Sequence, residues 1–205
     1  MLQFITHRTP LHDEMEGAIM ALEGGCRWIQ LRMKDAEADE IERTARMLLP
    51  VCRRYGAKLI LDDHVMAVKA TGADGVHLGK ADMPVDEARR ILGGGCIIGA
   101  TANNYDDIVQ AVGLGADYIG LGPYRFTTTK KKLSPILGTE GYRMIMEQCA
   151  RHGVKIPVVA IGGITLEDVS ELMRTGITGV AVSGCVLTAD NPTEYTRRLL
   201  AAIIE

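Results

Sequence analysis

The chain has 205 residues and a formal net charge of −3. This length predicts one domain that needs no disulfide or structural metal in order to fold. The mild acidity gives no electrostatic footprint for nucleic acid or for an anionic membrane, so any anion-binding site has to be local.

The cysteines and the amino terminus indicate the compartment. Five cysteines are scattered without a CxxC motif or a Cys/His ligand spacing, which predicts reduced core thiols. The first residues lack the layout of a signal peptide, because their short apolar run is interrupted at His7 and Arg8. No apolar stretch reaches the roughly 18 residues that a membrane span needs. We therefore expect a cytoplasmic protein without a nucleic-acid or membrane partner.

A repeating unit runs along the chain: a short β-branched apolar run, a glycine or polar break, and then an amphipathic helical pattern. Nearly continuous apolar strands that alternate with helices are typical of parallel strands buried on both faces. Eight such units predict an α/β fold, a single (β/α)8 TIM barrel over residues 1–205, rather than a doubly wound open sheet. The predicted strands are residues 3–7, 28–32, 58–62, 75–79, 97–101, 118–122, 157–162 and 179–184.

Polar residues at the carboxyl ends of barrel strands are candidates for an active site. The second predicted strand runs into QLRMK (30–34). Because side chains alternate along a strand, Gln30, Arg32 and Lys34 are predicted to share one face at the barrel mouth. Two cations in inward positions are costly unless an anion meets them, which favours an anionic ligand. The alternative is that Lys34 lies in solvent and Arg32 pairs with an internal acid.

Acids follow the third and fourth predicted strands. Asp62 and Asp63 lie in LILDDH, and Asp82 lies in GVHLGKAD. Carboxylates at adjacent strand ends can supply one or two ligands to Mg²⁺, whose remaining positions go to water and phosphate oxygens. The alternative for Asp82 is a helix N-cap. His77, in the fourth strand, suits a structural hydrogen bond and a catalytic role equally well.

Glycine-rich turns close the last two predicted strands, IGGI (161–164) and VSGC (182–185). Loops at these places commonly hold a phosphate through backbone N–H groups, although glycine is also ordinary turn chemistry. The run FTTTKKK (126–132) follows the sixth strand. Its composition alone favours a solvated loop, whereas its place in the barrel mouth favours a phosphate clamp.

Five motifs together resemble the thiamine phosphate synthase family, and they occur in order over essentially the whole chain. They are QLRMK, the acid pair after LIL, GVHLGKAD, GADYIGLGP followed by TTTK, and VVAIGGI. The resemblance implies a transferase that condenses hydroxymethylpyrimidine diphosphate with a thiazole phosphate, or with its carboxylated tautomer. The implied products are thiamine phosphate and pyrophosphate. The implied route is dissociative: Mg²⁺ and cations stabilise the leaving pyrophosphate, and no strong base is needed.

The resemblance also assigns roles to individual residues, with Arg32, Lys34 and Lys130 expected to act on the leaving group. The residues implied for the pyrimidine diphosphate are Gln30, Arg32, Lys34, Asp62, Thr101 and Lys130. Those implied for Mg²⁺ are Asp63 and Asp82. Those implied for the thiazole phosphate are Thr127, Thr129, Gly163, Val182 and Ser183.

The sequence departs from the family pattern at several of these places. Asp62 stands where the family usually has asparagine, which adds a negative charge near the pyrimidine or the metal. Thr101 keeps a hydroxyl where the family has serine. Phe126 replaces a proline, Arg125 adds a nearby cation, and the turn after the eighth strand is shorter.

Two alternatives use the same fold. A thiazole tautomerase would need a histidine shortly after the fifth strand, where this chain has Asn103. A non-catalytic barrel that binds thiazole phosphate would not need the candidate metal acids or Lys130. A homo-oligomer stays open, because the sequence has no large apolar stripe that must be covered.

Overall fold

The computed structural model describes residues 1–126 and 135–204, and within them eight parallel strands close into a barrel in chain order. The pairing of β1 with β8 sets Leu2 opposite Val180 and Phe4 opposite Val182, which excludes the open sheet and confirms the predicted barrel. All eight predicted strands are present with small shifts at their ends. The strands are β1 (Leu2–Ile5), β2 (Trp28–Leu31), β3 (Lys58–Asp62), β4 (Gly75–Leu78), β5 (Ile97–Ala102), β6 (Tyr118–Leu121), β7 (Val158–Ile161) and β8 (Gly179–Val182).

Helices connect the strands and cover the outside of the barrel. Local sequence fixes their ends: Asp13 accepts a hydrogen bond from the Glu16 backbone N–H at 2.8 Å, and the Glu16 carboxylate accepts one from the Asp13 N–H at 3.0 Å. Gly72, with φ of 73°, ends the third helix. The helices are α1 (Glu14–Glu23), α2 (Ala38–Arg54), α3 (Val65–Thr71), α4 (Val85–Leu92), α5 (Tyr105–Gly113), α6 (Gly138–Arg151), α7 (Leu166–Met173), α8 (Gly184–Leu187) and α9 (Pro192–Ile204).

The apolar core has two parts. The larger part fills the space between the strands and the surrounding helices, as expected for parallel strands buried on both faces. The smaller part consists of Ile5, Tyr118, Val159 and Ala181. Among the described residues, no helix is both long enough and apolar enough to cross a membrane.

Two glycines within strands make room for the rings of His77 and Tyr118. A Cβ at Gly99 would lie 2.2 Å from Tyr118 Cζ and 2.6 Å from His77 Nδ1, and a Cβ at Gly120 would lie 2.9 Å from His77 Cε1. Glycine weakens a strand interior, and it marks places where another group approaches the backbone closely. The glycines of IIGAT and YIGLG therefore allow two polar rings to be buried beside the site.

Candidate active site

The carboxylate of Asp62 joins Gln30 of β2 and Arg32, the residue that follows β2, to the end of β3. Gln30 Nε2 donates a hydrogen bond to Asp62 Oδ1, and Arg32 Nε lies 3.2 Å from Asp62 Oδ2. Gln30 is buried, and the Arg32 and Asp62 side chains are only 20% and 16% exposed. This shielding from water makes the ion pair stronger than a typical surface pair. Arg32 thus has the internal acid partner that the sequence left as an alternative.

Lys34 does not share the strand geometry that its spacing predicted. β2 ends at Leu31, and Lys34 lies in the exposed turn that follows, where the Ala36 N–H donates to the Met33 carbonyl at 3.3 Å. Gln30 and Arg32 therefore contact the same acid, as the predicted alternation would place them, but the alternation does not extend to Lys34.

Asp63 and Asp82 meet next to this cluster. Asp63 has φ of 64°, and its N–H donates to the His77 carbonyl at 2.9 Å. Asp82 Oδ2 accepts a hydrogen bond from the Gly79 N–H at 2.6 Å, whereas the N-cap of α4 is Pro84. Asp82 therefore fixes the turn after β4 and does not cap the helix.

The environment of Asp63 favours its protonated form. Burial raises the pKa of Asp63 to about 8, and the charge of Asp62 and a hydrogen bond with Asp82 act in the same direction. The cation of Arg32 opposes them only in part. The carboxyl groups of Asp63 and Asp82 thus lie near each other, and a cation between them would relieve the electrostatic repulsion of their ionised forms.

The donor set of Asp63 and Asp82 fits Mg²⁺. In residues 1–126 and 135–204, no three His, Cys, Asp or Glu side chains form a group that could hold a metal ion. A protein cage of that kind suits zinc, whereas Mg²⁺ commonly takes one or two carboxylates and completes its shell with water and substrate phosphate. Two oxygen ligands open to a substrate are therefore the appropriate arrangement.

His77 lies in a buried chain of hydrogen bonds that reaches the mouth at Thr101. Its Nδ1 is 3.0 Å from the Tyr118 hydroxyl, and its Nε2 is 3.1 Å from Thr101 Oγ1. The Tyr118 hydroxyl also accepts a hydrogen bond from Gln3 Nε2 at 3.1 Å. The structure therefore gives His77 a partner on each ring nitrogen. A search of the strand ends in the sequence does not find Gln3 or Tyr118, because both lie deeper in the barrel.

The turns after β7 and β8 lie on the opposite side of the mouth. Gly162 and Gly163 have φ of 103° and 70°, and a Cβ at Gly163 would lie 2.5 Å from Arg125 Cγ. Only glycine suits this left-handed, crowded position. Val182 ends β8 and is buried. The Ser183 hydroxyl is buried and has no hydrogen-bond partner among the described residues.

Arg125 ties the segment after β6 to the turn after β7. Its guanidinium donates to Asp168 Oδ2 at 2.8 Å and to Asp168 Oδ1 at 2.6 Å, and it also donates to the Gly163 carbonyl at 3.0 Å. Asp168 in turn accepts from the Thr165 backbone N–H at 2.8 Å. The sequence-based prediction did not include Asp168, although the spacing T-x-x-D before an apolar helical pattern indicates a capping residue.

The predicted clamp residues Thr127, Thr129 and Lys130 lie outside the described residues, together with Lys131 and Lys132. The segment that leads to them ends at Phe126, whose side chain is exposed. Their roles therefore stay predictions.

A separate cavity of about 340 Å³ opens at the other end of the barrel. Met1, Trp28, Cys96 and Asp117 are among the residues that line it, and none of the predicted site residues does. Since activity in these barrels belongs to the carboxyl ends of the strands, this cavity is not the candidate active site.

A closed (β/α)8 barrel with shielded cations, paired acids and glycine-rich turns at one mouth is typical of barrel enzymes that act on phosphorylated small molecules. A family model described as thiamine monophosphate synthase matches residues 2–186. A thiamine-phosphate synthase of Phocaeicola vulgatus is 59% identical over 199 residues, which is 97% of this chain and 96% of the relative. One from Bacteroides fragilis is 56% identical over 199 residues, with 97% and 98% covered.

Among solved structures, a thiamine phosphate pyrophosphorylase from Pyrococcus furiosus has a TM-score of 0.88 and 37% identity, with 99% of this chain and 95% of that chain covered. The chain belongs to the thiamine monophosphate synthase family, and it is an enzyme of the transferase class. These matches confirm the resemblance that the sequence motifs predicted.

Proposed function

We propose that the chain condenses hydroxymethylpyrimidine diphosphate with a thiazole phosphate, in the presence of Mg²⁺, to give thiamine phosphate and pyrophosphate. The observation that carries the proposal is that Arg32 lies beside the acids at the end of β3 and in the turn after β4, at one mouth of the barrel, in a chain of this family. A shielded cation beside two carboxylates that fit Mg²⁺ can stabilise the negative charge that develops on a leaving diphosphate.

The chain's own groups stabilise charge and do not abstract a proton. The bond between the pyrimidine methylene and the diphosphate oxygen breaks, both electrons leave with pyrophosphate, and the electron-rich ring stabilises the resulting cation. The lone pair of the thiazole ring nitrogen then forms the new bond to the methylene carbon, which gives the thiazolium ring of thiamine phosphate. Arg32 would contact the developing anion, with Lys34 and Lys130 adding positive charge from the loops. Thr101 and Gln30 would hold the same substrate through hydrogen bonds.

Asp63 and Asp82 would hold Mg²⁺. The metal, when bound, would supply positive charge to the diphosphate oxygens. Asp63 would hold it through its ionised carboxylate.

The thiazole phosphate would bind on the other side of the mouth. Gly163 and the turn of Val182 and Ser183 would contact it, together with Thr127 and Thr129. The buried Ser183 hydroxyl supports this placement, since a phosphate oxygen would satisfy it. Whether the natural thiazole is carboxylated is a question for the assay, which is run with both forms.

A tautomerase function is not favoured. Asn103, which stands where that activity would need a histidine, donates from Nδ2 to the Gly122 carbonyl, and its N–H donates to Asp107 at 2.8 Å. An amide in this position ties the ends of β5 and β6 together and offers no base.

The test is the condensation assay with both phosphorylated halves, with and without Mg²⁺. We expect thiamine phosphate and pyrophosphate in equal amounts, and detection of neither product would refute the proposal. Asp63→Asn should reduce turnover at least a hundredfold, while Asp86→Asn, which changes an exposed acid of α4, should leave it unchanged. Activity of Asp63→Asn that equals the wild type across a Mg²⁺ titration would remove Asp63 from the metal site.

We further propose a cytoplasmic location. The support is that all five cysteines are free, and three of them, Cys26, Cys52 and Cys149, are buried. Unpaired buried thiols are typical of a reducing compartment.

A further inference from the structure

We infer that the buried chain Gln3–Tyr118–His77–Thr101 has a fixed polarity, which makes the Thr101 hydroxyl a hydrogen-bond donor to the diphosphate. The inference rests on the proposed function for the identity of the ligand, and it adds Gln3, Tyr118 and His77 as positioning residues. Each of them acts through its neighbour, and none touches the substrate.

The polarity begins at Gln3. Its Nε2 can only donate, so the Tyr118 oxygen accepts at 3.1 Å. Burial raises the pKa of Tyr118, so its phenol keeps its proton. The buried Tyr118 proton needs an acceptor. Among the described residues, His77 Nδ1 is the ring nitrogen that lies 3.0 Å from the hydroxyl and can accept it.

The polarity is then transmitted by the imidazole ring. A neutral histidine that accepts at Nδ1 must carry its proton on Nε2, because each neutral ring has one donor and one acceptor. Nε2–H therefore donates to Thr101 Oγ1 at 3.1 Å. The Thr101 proton cannot point back along this bond, so it is directed elsewhere.

The free donor of Thr101 matches the proposed ligand. Phosphate oxygens of a diphosphate accept hydrogen bonds and offer none at neutral pH, so a hydroxyl whose proton is committed to His77 would meet them with a lone pair. The chain of donors thus selects the useful rotamer of Thr101 before the substrate arrives, which is a form of preorganisation.

The barrel interior is unusual in the space that it leaves for this series of hydrogen-bonded side chains. Barrel interiors are usually filled by branched apolar side chains, whereas Gln3, His77 and Tyr118 are all buried here. Gly99 and Gly120 leave the space that the two rings occupy. A buried polar network is costly unless all its members are satisfied, and its cost is offset when it orients a group at a site.

The first experiment reads the tautomer directly in the free protein. Long-range ¹H–¹⁵N correlation spectra of the ¹⁵N-labelled chain show which ring nitrogen carries the proton, and the His77 signals are those lost in His77→Asn. We expect a neutral ring protonated on Nε2. A ring protonated on Nδ1 would mean that the chain runs in the opposite direction, and it would overturn the inference whether or not condensation is observed.

Variants test the coupling to the ligand, with inorganic pyrophosphate and Mg²⁺ as the calorimetric probe. Thr101→Val and Tyr118→Phe should each weaken binding about tenfold, because a hydrogen bond to a charged group is lost in the first and misdirected in the second. Thr101→Ser should retain binding. The double variant should be no weaker than Thr101→Val alone, since Tyr118 acts only through Thr101.

Tyr142→Phe is the matched control, because it removes another buried tyrosine hydroxyl. That hydroxyl donates to the Leu121 carbonyl and is not part of the Gln3–Tyr118–His77–Thr101 series. This variant should keep both the Nε2–H tautomer and the affinity for pyrophosphate. Additive losses in the double variant, or no binding of pyrophosphate by the wild type, would overturn the inference. If His77 has the Nε2–H tautomer and the binding losses are non-additive, but no condensation is detected, the result would count against the proposed function alone.

Discussion

Asp62 is the residue whose identity changes the site most. Its carboxylate accepts from Gln30 and faces Arg32, so the cation that would receive the diphosphate already has an anionic partner inside the protein. An incoming anion has to share Arg32 with Asp62. An asparagine here would still accept the hydrogen bond from Gln30, but without the charge.

Asp62→Asn should therefore bind pyrophosphate with Mg²⁺ about three- to tenfold more tightly than the wild type, because one repelling charge is removed from beside the ligand. Calorimetric titration measures this directly. Asp35→Asn, which removes one charge from the exposed turn after β2, serves as the control and should change affinity little. Weaker binding by Asp62→Asn would mean that the carboxylate is needed to orient Arg32.

Among the elements, β5 and β6 are shaped by what they must accommodate. Gly99→Ala would place a Cβ against both Tyr118 and His77, and we expect the free energy of unfolding to fall by about 3 kcal/mol. Urea denaturation measures the change. Gly113→Ala is the control, since a Cβ there meets nothing within 4 Å at the end of α5, and it should leave stability unchanged or slightly raised. A Gly99→Ala protein as stable as the wild type would show that the rings can move aside.

The loop contact between Arg125 and Asp168 carries a pH dependence. Burial would raise the pKa of Asp168, but hydrogen bonds from Arg125 and from Thr165 outweigh it and hold that pKa below its usual range. The native state thus binds fewer protons than the unfolded chain in acid. This contribution to stability is complete above the ordinary aspartate pKa of about 4 and is lost as the pH falls through the lowered pKa.

Asp168→Asn should accordingly cost on the order of 2 kcal/mol near neutral pH, because a charged hydrogen-bond network is broken, and less at a pH of about 3. Urea midpoints at the two pH values give the comparison. Glu171→Gln, which changes an exposed acid of the same helix, should show no such difference. An Asp168→Asn deficit of the same size at both pH values would contradict a stabilising role for the ionised carboxylate.

Local pattern was enough to predict the strands and the residues at their ends. Hydrophobic alternation and glycine breaks are properties of a few neighbouring residues, and barrel closure then brings the strand ends together. The pattern could not assign the partner of Arg32, because pairing with Asp62 depends on how β2 and β3 lie side by side. Nor could it show that alternation stops before Lys34, since strand ends are set by tertiary contacts.

At the scale of the whole molecule, α9 completes the ring of helices by packing against α1, α7 and α8. Its approach to α1 is close: a Cβ at Gly24 would lie 2.5 Å from Thr196 Cβ. Leu199 is fully buried in this helix. The last helix is thus part of the core that holds the barrel closed.

Leu199→Ala should lower the free energy of unfolding by about 2–5 kcal/mol, because it leaves a cavity in the layer between the helices. Ile204→Ala provides the matched control in the same helix, since Ile204 is 84% exposed and its truncation should have little effect. Thermal and urea unfolding of both variants make the comparison. Equal stability of the two variants would mean that α9 is dispensable to the barrel.

The order of residues around the mouth has a consequence for the redesign of this enzyme. On the proposed assignment, the pyrimidine side is drawn mainly from residues 30–101, and the thiazole side from residues that follow β6. Recognition of the pyrimidine and recognition of the thiazole would therefore depend mainly on residues from consecutive halves of the chain. Libraries restricted to one half can search for altered recognition of one substrate, and exchange of halves between homologues is a natural route to combined variants.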